Sequence, residues 1–422
     1  MSPKFILVRQ HHDAPYISDV AGEVRHAFDI SGFDFDSLKG KKVGLAVGSR
    51  GISNIPLIVR TMVDYVREKG GDPIIFPAMG SHGNGEASGQ REVLESLGIT
   101  EEAMGCEIRT CGDTIMLGVT DKGLKVYANK VTGDFDKIIL VNRIKQHTDF
   151  EDITESGIYK LMAIGIGNQF GAEHIHERAL TVGYGAAIRD AGDYMLKKLP
   201  IVFALAVTEN WKHQTDHIEA ILPENLLKAE SRILAAVKER TVRLPFDKFD
   251  TLIVKEAGKN ISGTCVDTKV VGRIMIVGQK EPERPKIRTI AVLDFTDESH
   301  GNSMGLGVVD MITRRVFNKI NIDATSLTGR TSDCLLQAKI PCIAPDDADA
   351  IESSYRASGA GDPENIRAVL IQNTNALEYI AVTENLYEEI KDRADIEKLS
   401  EPFELQFDDE GNLLYEFPGH EA

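Results

Sequence analysis

The chain has 422 residues, 42 % apolar and 27 % charged, enough for two or three globular domains with ordinary cores. Its net charge of −17 argues against nucleic acid and against an anionic membrane surface as partners, since both would repel it. No apolar run approaches the roughly 18 residues that span a bilayer, MSPKFILVRQHHDAPY lacks the long apolar stretch of a signal peptide, and Cys106, Cys111, Cys265, Cys334 and Cys342 are too scattered for a disulfide framework, so the expected location is cytoplasmic.

From residue 42 the chain alternates between strand and helix patterns. KVGLAV (42–47) is a short apolar run that predicts a buried strand. Ser53 or Asn54 is positioned to cap the next helix, Pro56 suits its first turn, and Ile55, Ile58, Val59, Met62, Tyr65 and Val66 recur at helical spacing before Gly70 and Gly71 stop it. DPIIFPA (72–78) predicts a second strand and residues 85–99 a second helix. Strand, helix, strand, helix implies parallel strands with right-handed crossovers. KIILVN (137–142) and IVFALAV (201–207) predict further strands, with helices over 171–181, 184–197 and 223–240. RLPFDKF (243–249) reads as a junction. TLIVKEA (251–257) and TIAVLDF (289–295) open a second α/β domain. Residues 302–320 and 363–393 read as helical, and 403–417 as a terminal hairpin around Glu410-Gly411.

In an open α/β sheet, ligands bind beyond the carboxyl ends of the strands. Those ends carry GSRG with Arg50, MGSHGNG with His82, RIKQHTDF with Arg143, Lys145 and His147, and TENWKH with Glu209 and His213. Cations and histidines thus collect at one sheet edge of an acidic protein. Arg50 lies between two glycines and is suited to fork onto a carboxylate; its plain alternative is a surface ion pair. His82 is framed by Gly80, Gly83 and Gly85, a loop whose permissiveness suggests close approach of a ligand. His147 follows two cations that would hold it neutral, as a general base requires; its plain alternative is a solvent-facing loop histidine. His11 and His12 read as surface residues.

The stretch ESGIYKLMAIGIGNQFGAEHIH (155–176) is the most unusual. Lys160 sits in an apolar context, where a lysine is either a nucleophile with a lowered pKa or a snorkelling side chain. Gly165, Gly167 and Gly171 read as a Gly-rich turn into a helix whose free amides would take a phosphate. A dinucleotide turn is the alternative, with off-pattern spacing. His174 and His176, two apart on a helix, point to different sides and would not share one metal.

Taken in order, GSRGI, MGSHG, RIKQH, ESGIYK with its Gly-rich continuation, and His176 resemble the nickel-pincer-nucleotide-dependent lactate racemase family, most clearly over residues 40–180. The resemblance implies a nickel-pincer nucleotide held covalently by Lys160, with Lys145, Gly165 and Gly167 around the cofactor and His176 on the nickel. It implies that His82 and His147 act as an acid/base pair and that Arg50 binds near the substrate carboxylate. It also implies partner proteins that make the cofactor. The family's first loop commonly reads Asp-His-Thr-Arg-Pro, of which GSRGI keeps the arginine. The family's Gln-x-x-Lys pair gives way here to DFTDESHGN, whose His300 becomes a candidate substrate contact. A larger or more polar 2-hydroxy acid than lactate, such as a sugar acid, is therefore expected.

The expectation is an α/β protein of two domains with mainly parallel sheets, residues 1–245 holding the cofactor and catalytic groups and 246–422 closing a cleft over them. It would racemise or epimerise a 2-hydroxy acid by hydride transfer. The alternatives are a nicotinamide-dependent oxidoreductase using the Gly165–Gly171 turn, or a non-catalytic nucleotide- or metallocofactor-binding protein.

Overall fold

A computed structural model of the protein describes residues 2–49 and 51–419. By packing, the chain divides into two α/β units, Ala14–Thr241 and a second unit made of the stretch up to Asp13 together with everything from Val242 onward.

The first unit is built on a six-stranded sheet. Its order is Glu107–Ile108, Asp72–Pro77, Lys42–Val47, Lys137–Arg143, Ile201–Glu209 and Thr215–Ile221. All neighbours are parallel except the last pair. Both faces are covered, which is why the central strands read as unbroken apolar runs. Val43, Leu45 and Val47 pack on one side with Ile58, Met62 and Val66 of the helix Ile55–Glu68. Ala46, Phe76 and Leu140 pack on the other with Ile158, Met162 and Ile188. Asn54 does stand at the start of the helix Ile55–Glu68, but in left-handed backbone (φ 61°), and its side chain makes no capping hydrogen bond. A two-stranded antiparallel ribbon, Thr114–Val119 with Lys125–Asn129, was not foreseen.

The second unit carries a nine-stranded sheet. Cys342–Ala344, Met311–Thr313, Lys286–Phe295, Lys248–Ala257 and Ala368–Asn373 run parallel in that order. Ala376–Thr383 then joins antiparallel, followed by Lys4–Gln10, which pairs in turn with Ile396–Lys398 and Phe403–Glu404. The opening strand of the chain therefore belongs to this sheet and not to the domain that follows it in sequence. Phe5 and Val8, fully buried, are the reason it stays there.

Three expected elements differ. Residues 302–320 do not form one helix: Gly305 adopts φ 107°, and a Cβ there would sit 1.9 Å from the Thr264 carbonyl oxygen. Beyond it, Leu306–Val308 makes a single 3₁₀ turn, Met311–Thr313 becomes a strand and Arg314–Lys319 is α-helical. Residues 363–393 contain the hairpin Ala368–Asn373 and Ala376–Thr383 before the short helix Glu384–Ile390. The Asn373 side chain accepts from the amides of Asn375 and Ala376 and so makes the turn. The terminal hairpin shrinks to a single bridge, Phe407 with Leu413, because Phe403 pairs with Phe5 instead. Among the described residues, no helix is long and apolar enough to cross a membrane.

Candidate active site

Lys160 ends the one-turn helix Ile158–Lys160 and is followed by a π-helical segment, Leu161–Ile166, and the helix Asn168–Val182. The whole stretch is helical, so KLMAI is not a strand and the glycines do not form an open turn. Continuous π-helix is rare and tends to occur where function distorts a helix. Gly165 and Gly167 have packing reasons to lack a side chain. A Cβ on Gly165 would lie 2.5 Å from the Ala78 carbonyl oxygen, and one on Gly167 would lie 3.0 Å from that of Ala163. The strand–turn–helix that a dinucleotide phosphate needs is absent from this segment, which removes the structural basis of the nicotinamide alternative. The bend between helices falls at Asn168, a buried residue with φ 51° whose side-chain Nδ2 donates to the carbonyls of Cys111 and Gly112.

His147 lies on the loop after the strand Lys137–Arg143. The loop is pinned at its base, where Lys145 and Ser156 exchange backbone hydrogen bonds of 2.7 and 3.2 Å. Inside it, the buried Glu155 accepts from the His147 amide (2.6 Å) and the Asp152 amide (3.2 Å), and Lys238 reaches its other side at 2.5 Å. Arg189 holds Asp152. Thus two helices, Tyr184–Lys198 and Leu226–Arg240, fix the loop. The His147 ring is held on three sides. The Asp149 amide donates to Nδ1 at 3.0 Å, Nε2 lies 2.6 Å from Lys160 Nζ, and the ring stacks on Phe150 at 4.5 Å.

That stack continues. Phe150 lies over Tyr184 at 5.3 Å, and Tyr184 meets His176 edge-on at 5.8 Å. A column of four rings therefore links His147 to His176. His174 turns elsewhere, onto Tyr127 and Phe170, so the two histidines do point apart.

His82 is exposed, in a turn whose Gly80, Gly83, Asn84 and Gly85 all have positive φ. Its Nδ1 is hydrogen-bonded to Ser49 Oγ. The turn touches the Lys160 segment, since the Gly80 amide donates to the Gly165 carbonyl at 3.1 Å. Gly83 is held backbone to backbone against Gly89, where a Cβ would come within 2.4 Å.

Two buried carboxyls support this region: Glu230, which the sequence does not single out, and Glu209, which it places at a strand end without its partner. Glu230, fully buried on the helix Leu226–Arg240, accepts from the Tyr159 amide at 3.0 Å and so caps the turn that carries Lys160. Burial pushes its carboxyl up to about 7, against the downward pull of the Tyr159 and Ile158 amides. Glu209 pairs with Arg143 and accepts from the Ser53 amide at 2.7 Å. Burial raises its carboxyl, but His213, Arg143 and Ser53 together hold it below the ordinary range. Arg143 is thereby paired with Glu209, and the amine in contact with His147 is that of Lys160. Nothing local to RIKQH announces this, because the acids that matter lie 8 to 66 residues downstream.

The structure thus brings Lys160 and His147 into contact, joins His176 to them through rings, and lays the His82 turn against the same helix. His300 belongs to the other unit, exposed in left-handed backbone (φ 47°) after the strand Lys286–Phe295. There Asp294 and Asp297 of the same segment are bound by Lys319 at 3.0 and 3.3 Å. Arg50 lies outside the described residues.

No protein-family model and no curated protein matches the sequence. Among solved structures, the lactate racemase apoprotein from Thermoanaerobacterium thermosaccharolyticum is similar, with a TM-score of 0.52 at 13 % identity over 87 % of this chain and 94 % of that one. The protein therefore shares the lactate racemase fold over most of its length.

Proposed function

We propose that the protein is a racemase or epimerase of a 2-hydroxy acid that uses a lysine-tethered nickel-pincer nucleotide. The observation that carries this reading is the 2.6 Å contact between Lys160 Nζ and His147 Nε2, in a fold similar to the lactate racemase apoprotein. It supports a shared site for an anchoring amine and a proton-transfer group.

The residues present fit such a group. Lys160 offers an amine, and His176 offers a soft nitrogen donor on the ring column that starts at His147. Among the described residues no three His, Cys, Asp or Glu side chains converge on one point. A nickel ion bound here would therefore take its other donors from the organic group. When bound, that group supplies a hydride acceptor for C2 of the substrate. His147 and His82 would then take and return the hydroxyl proton from the two sides of the reacting carbon. Arg50 keeps the role near the substrate carboxylate that the resemblance implies, and the cofactor would come from dedicated biosynthetic proteins.

The test is co-expression with cofactor-making enzymes, followed by intact-mass and metal analysis. The expected result is a mass increase and bound nickel, both lost in Lys160→Ala together with activity. Racemisation of a hydroxy acid by protein that carries neither would refute the reading. In deuterated water the C2 hydrogen should be retained; rapid wash-in would point to proton abstraction instead.

A further inference from the structure

We propose that the second unit binds a small organic anion carrying two or more negative charges, in a groove at the amino edge of its parallel sheet. This goes beyond the proposed function and involves neither Lys160 nor a metal.

The groove encloses about 730 Å³, and every residue that lines it belongs to the second unit. A volume of this size holds a small organic molecule. Three adjacent parallel strands begin there, Lys248–Ala257, Lys286–Phe295 and Ala368–Asn373. Their first residues and flanks bring Lys248, Lys286, Arg288 and Arg367 to the groove, and Arg273 joins them from just beyond the helical turn Thr268–Val271. Five cations thus line one groove of a chain whose net charge is −17.

The partners of these cations decide how much charge is left for a ligand. Arg273 pairs with Asp310 at 2.8 Å and Arg367 with Glu389 at 2.7 Å, so both are balanced. Arg288 meets Asp250 at 3.5 Å, and its Nη1 donates to the Ser358 carbonyl at 2.8 Å. Glu281, the other acid of the groove, accepts from the amides of Ile274 and Met275, each at 2.7 Å. Lys286 donates to the Pro282 carbonyl at 2.6 Å, an uncharged acceptor. Among the described residues, neither Lys248 nor Lys286 forms an ion pair.

These two lysines are register partners on neighbouring strands. Their backbones are about 4.8 Å apart, so two ammonium groups start from adjacent positions and repel unless an anion stands between them. An anion with two charged groups reaches both, and the Arg288 side chain, 60 % exposed, is at hand to fork onto one of them. Phe249, Ile287 and Met275 add carbon surface to the same groove, which suits a ligand with a carbon skeleton. One wall is fixed in advance. Gly272 has φ 69°, and a Cβ there would lie 2.0 Å from the Pro285 carbonyl oxygen, so two backbones meet directly. Met275 is held in left-handed backbone (φ 53°), with its amide on Glu281.

The groove is separate from the carboxyl edge of the sheet. Lys286 and Asp294 stand near opposite ends of one ten-residue strand, roughly 26 Å apart. A ligand here is therefore distinct from anything bound beside His300. Lysine and arginine take phosphate esters and polycarboxylates alike, so the chemistry recognised is two adjacent anionic groups on a small carbon frame.

The test is calorimetric titration of the purified full chain with pyrophosphate and, separately, with citrate, in about 0.15 M sodium chloride so that diffuse surface attraction is screened. Pyrophosphate stands for phosphate esters and citrate for polycarboxylates, and at least one should fill a single saturable site per chain. Replacing both lysines, Lys248→Gln with Lys286→Gln, should weaken that binding at least tenfold. Arg288→Gln alone should weaken it severalfold, and it decides the matter if the double variant does not fold. Hydrogen exchange with the probe bound should slow over residues 248–250 and 286–288 and stay unchanged over 158–182. Absence of saturable binding by both probes, an affinity indifferent to the substitutions, or protection over 158–182 in place of the groove would overturn the proposal. Failure of nickel loading would sink the proposed function and leave this binding untouched.

Discussion

Glu230 is a carboxyl with no exposed surface, capping the turn that presents Lys160. Its folded-state value of about 7 lies above the ordinary 4.5, so the folded protein keeps a proton that the unfolded chain has lost between those pH values. Its contribution is complete below pH 4.5, falls as pH rises to about 7, and is flat beyond. At 1.36 kcal/mol per pH unit the loss is on the order of 3 kcal/mol. Glu230→Gln, which keeps the shape and cannot ionise, should therefore gain stability relative to wild type as pH is raised from 5 to 8, read as a widening gap in melting temperature. An equal pH dependence of the two proteins would count against the buried-acid reading. Glu209 behaves oppositely. Its side chain is only 6 % exposed, and Arg143 is its partner. Arg143→Ala removes the guanidinium from a buried carboxylate, leaving it His213 and the Ser53 amide, and should cost about 3 kcal/mol in urea titrations. Glu230 was not legible in the local sequence, and Glu209, visible at its strand's end, could not be given its partner there. Each finds its partner across dozens of residues, and a glutamate inside a helical pattern reads as an ordinary solvated side chain.

The elements divide by how much of their cause is local. Lys42–Val47, Ile55–Glu68 and Lys137–Arg143 match their expected spans closely, because an apolar run bounded by glycine or a 3.6-residue period needs no distant partner to be read. The segment 158–167 misled because its apolar run and glycines are also what a strand and turn would show. Its glycines are there because another backbone comes close. Gly165→Ala should accordingly destabilise by about 1–3 kcal/mol, since the new methyl meets the Ala78 carbonyl, a backbone atom that cannot move aside cheaply. Denaturant midpoints would check this, and a neutral result would mean that the two backbones are farther apart than described. The hairpin Ala368–Asn373 and Ala376–Thr383 was read as helix, although its β-branched residues and the Asn373 turn were there to be seen. The spacing of its apolar residues satisfies both periods, and sheet pairing with Lys248–Ala257 and Lys4–Gln10 resolves the ambiguity.

At the scale of the whole molecule, the chain crosses its own domain order. Lys4–Gln10 lies inside the second unit's sheet, between Ala376–Thr383 and Ile396–Lys398. Deleting residues 2–13 should therefore leave Ala14–Thr241 intact and loosen the other unit. Hydrogen exchange would detect this as faster exchange in Ala376–Thr383 with unchanged protection in Lys137–Arg143. Loss of protection in both strands would mean that the units do not fold separately.

What the sequence alone determined is the α/β class and the central strands of the parallel sheets, because an apolar period acts over a few residues. The histidines and the lysine were proposed from type, order and family resemblance, and His147 and Lys160 do lie in contact. Tertiary structure alone decided which charges neutralise one another, which atom of His147 faces Lys160, why Gly165 and Gly167 lack side chains, and to which sheet the first strand belongs. Those outcomes depend on distances between groups far apart in the chain, and such distances exist only once the backbone has closed on itself.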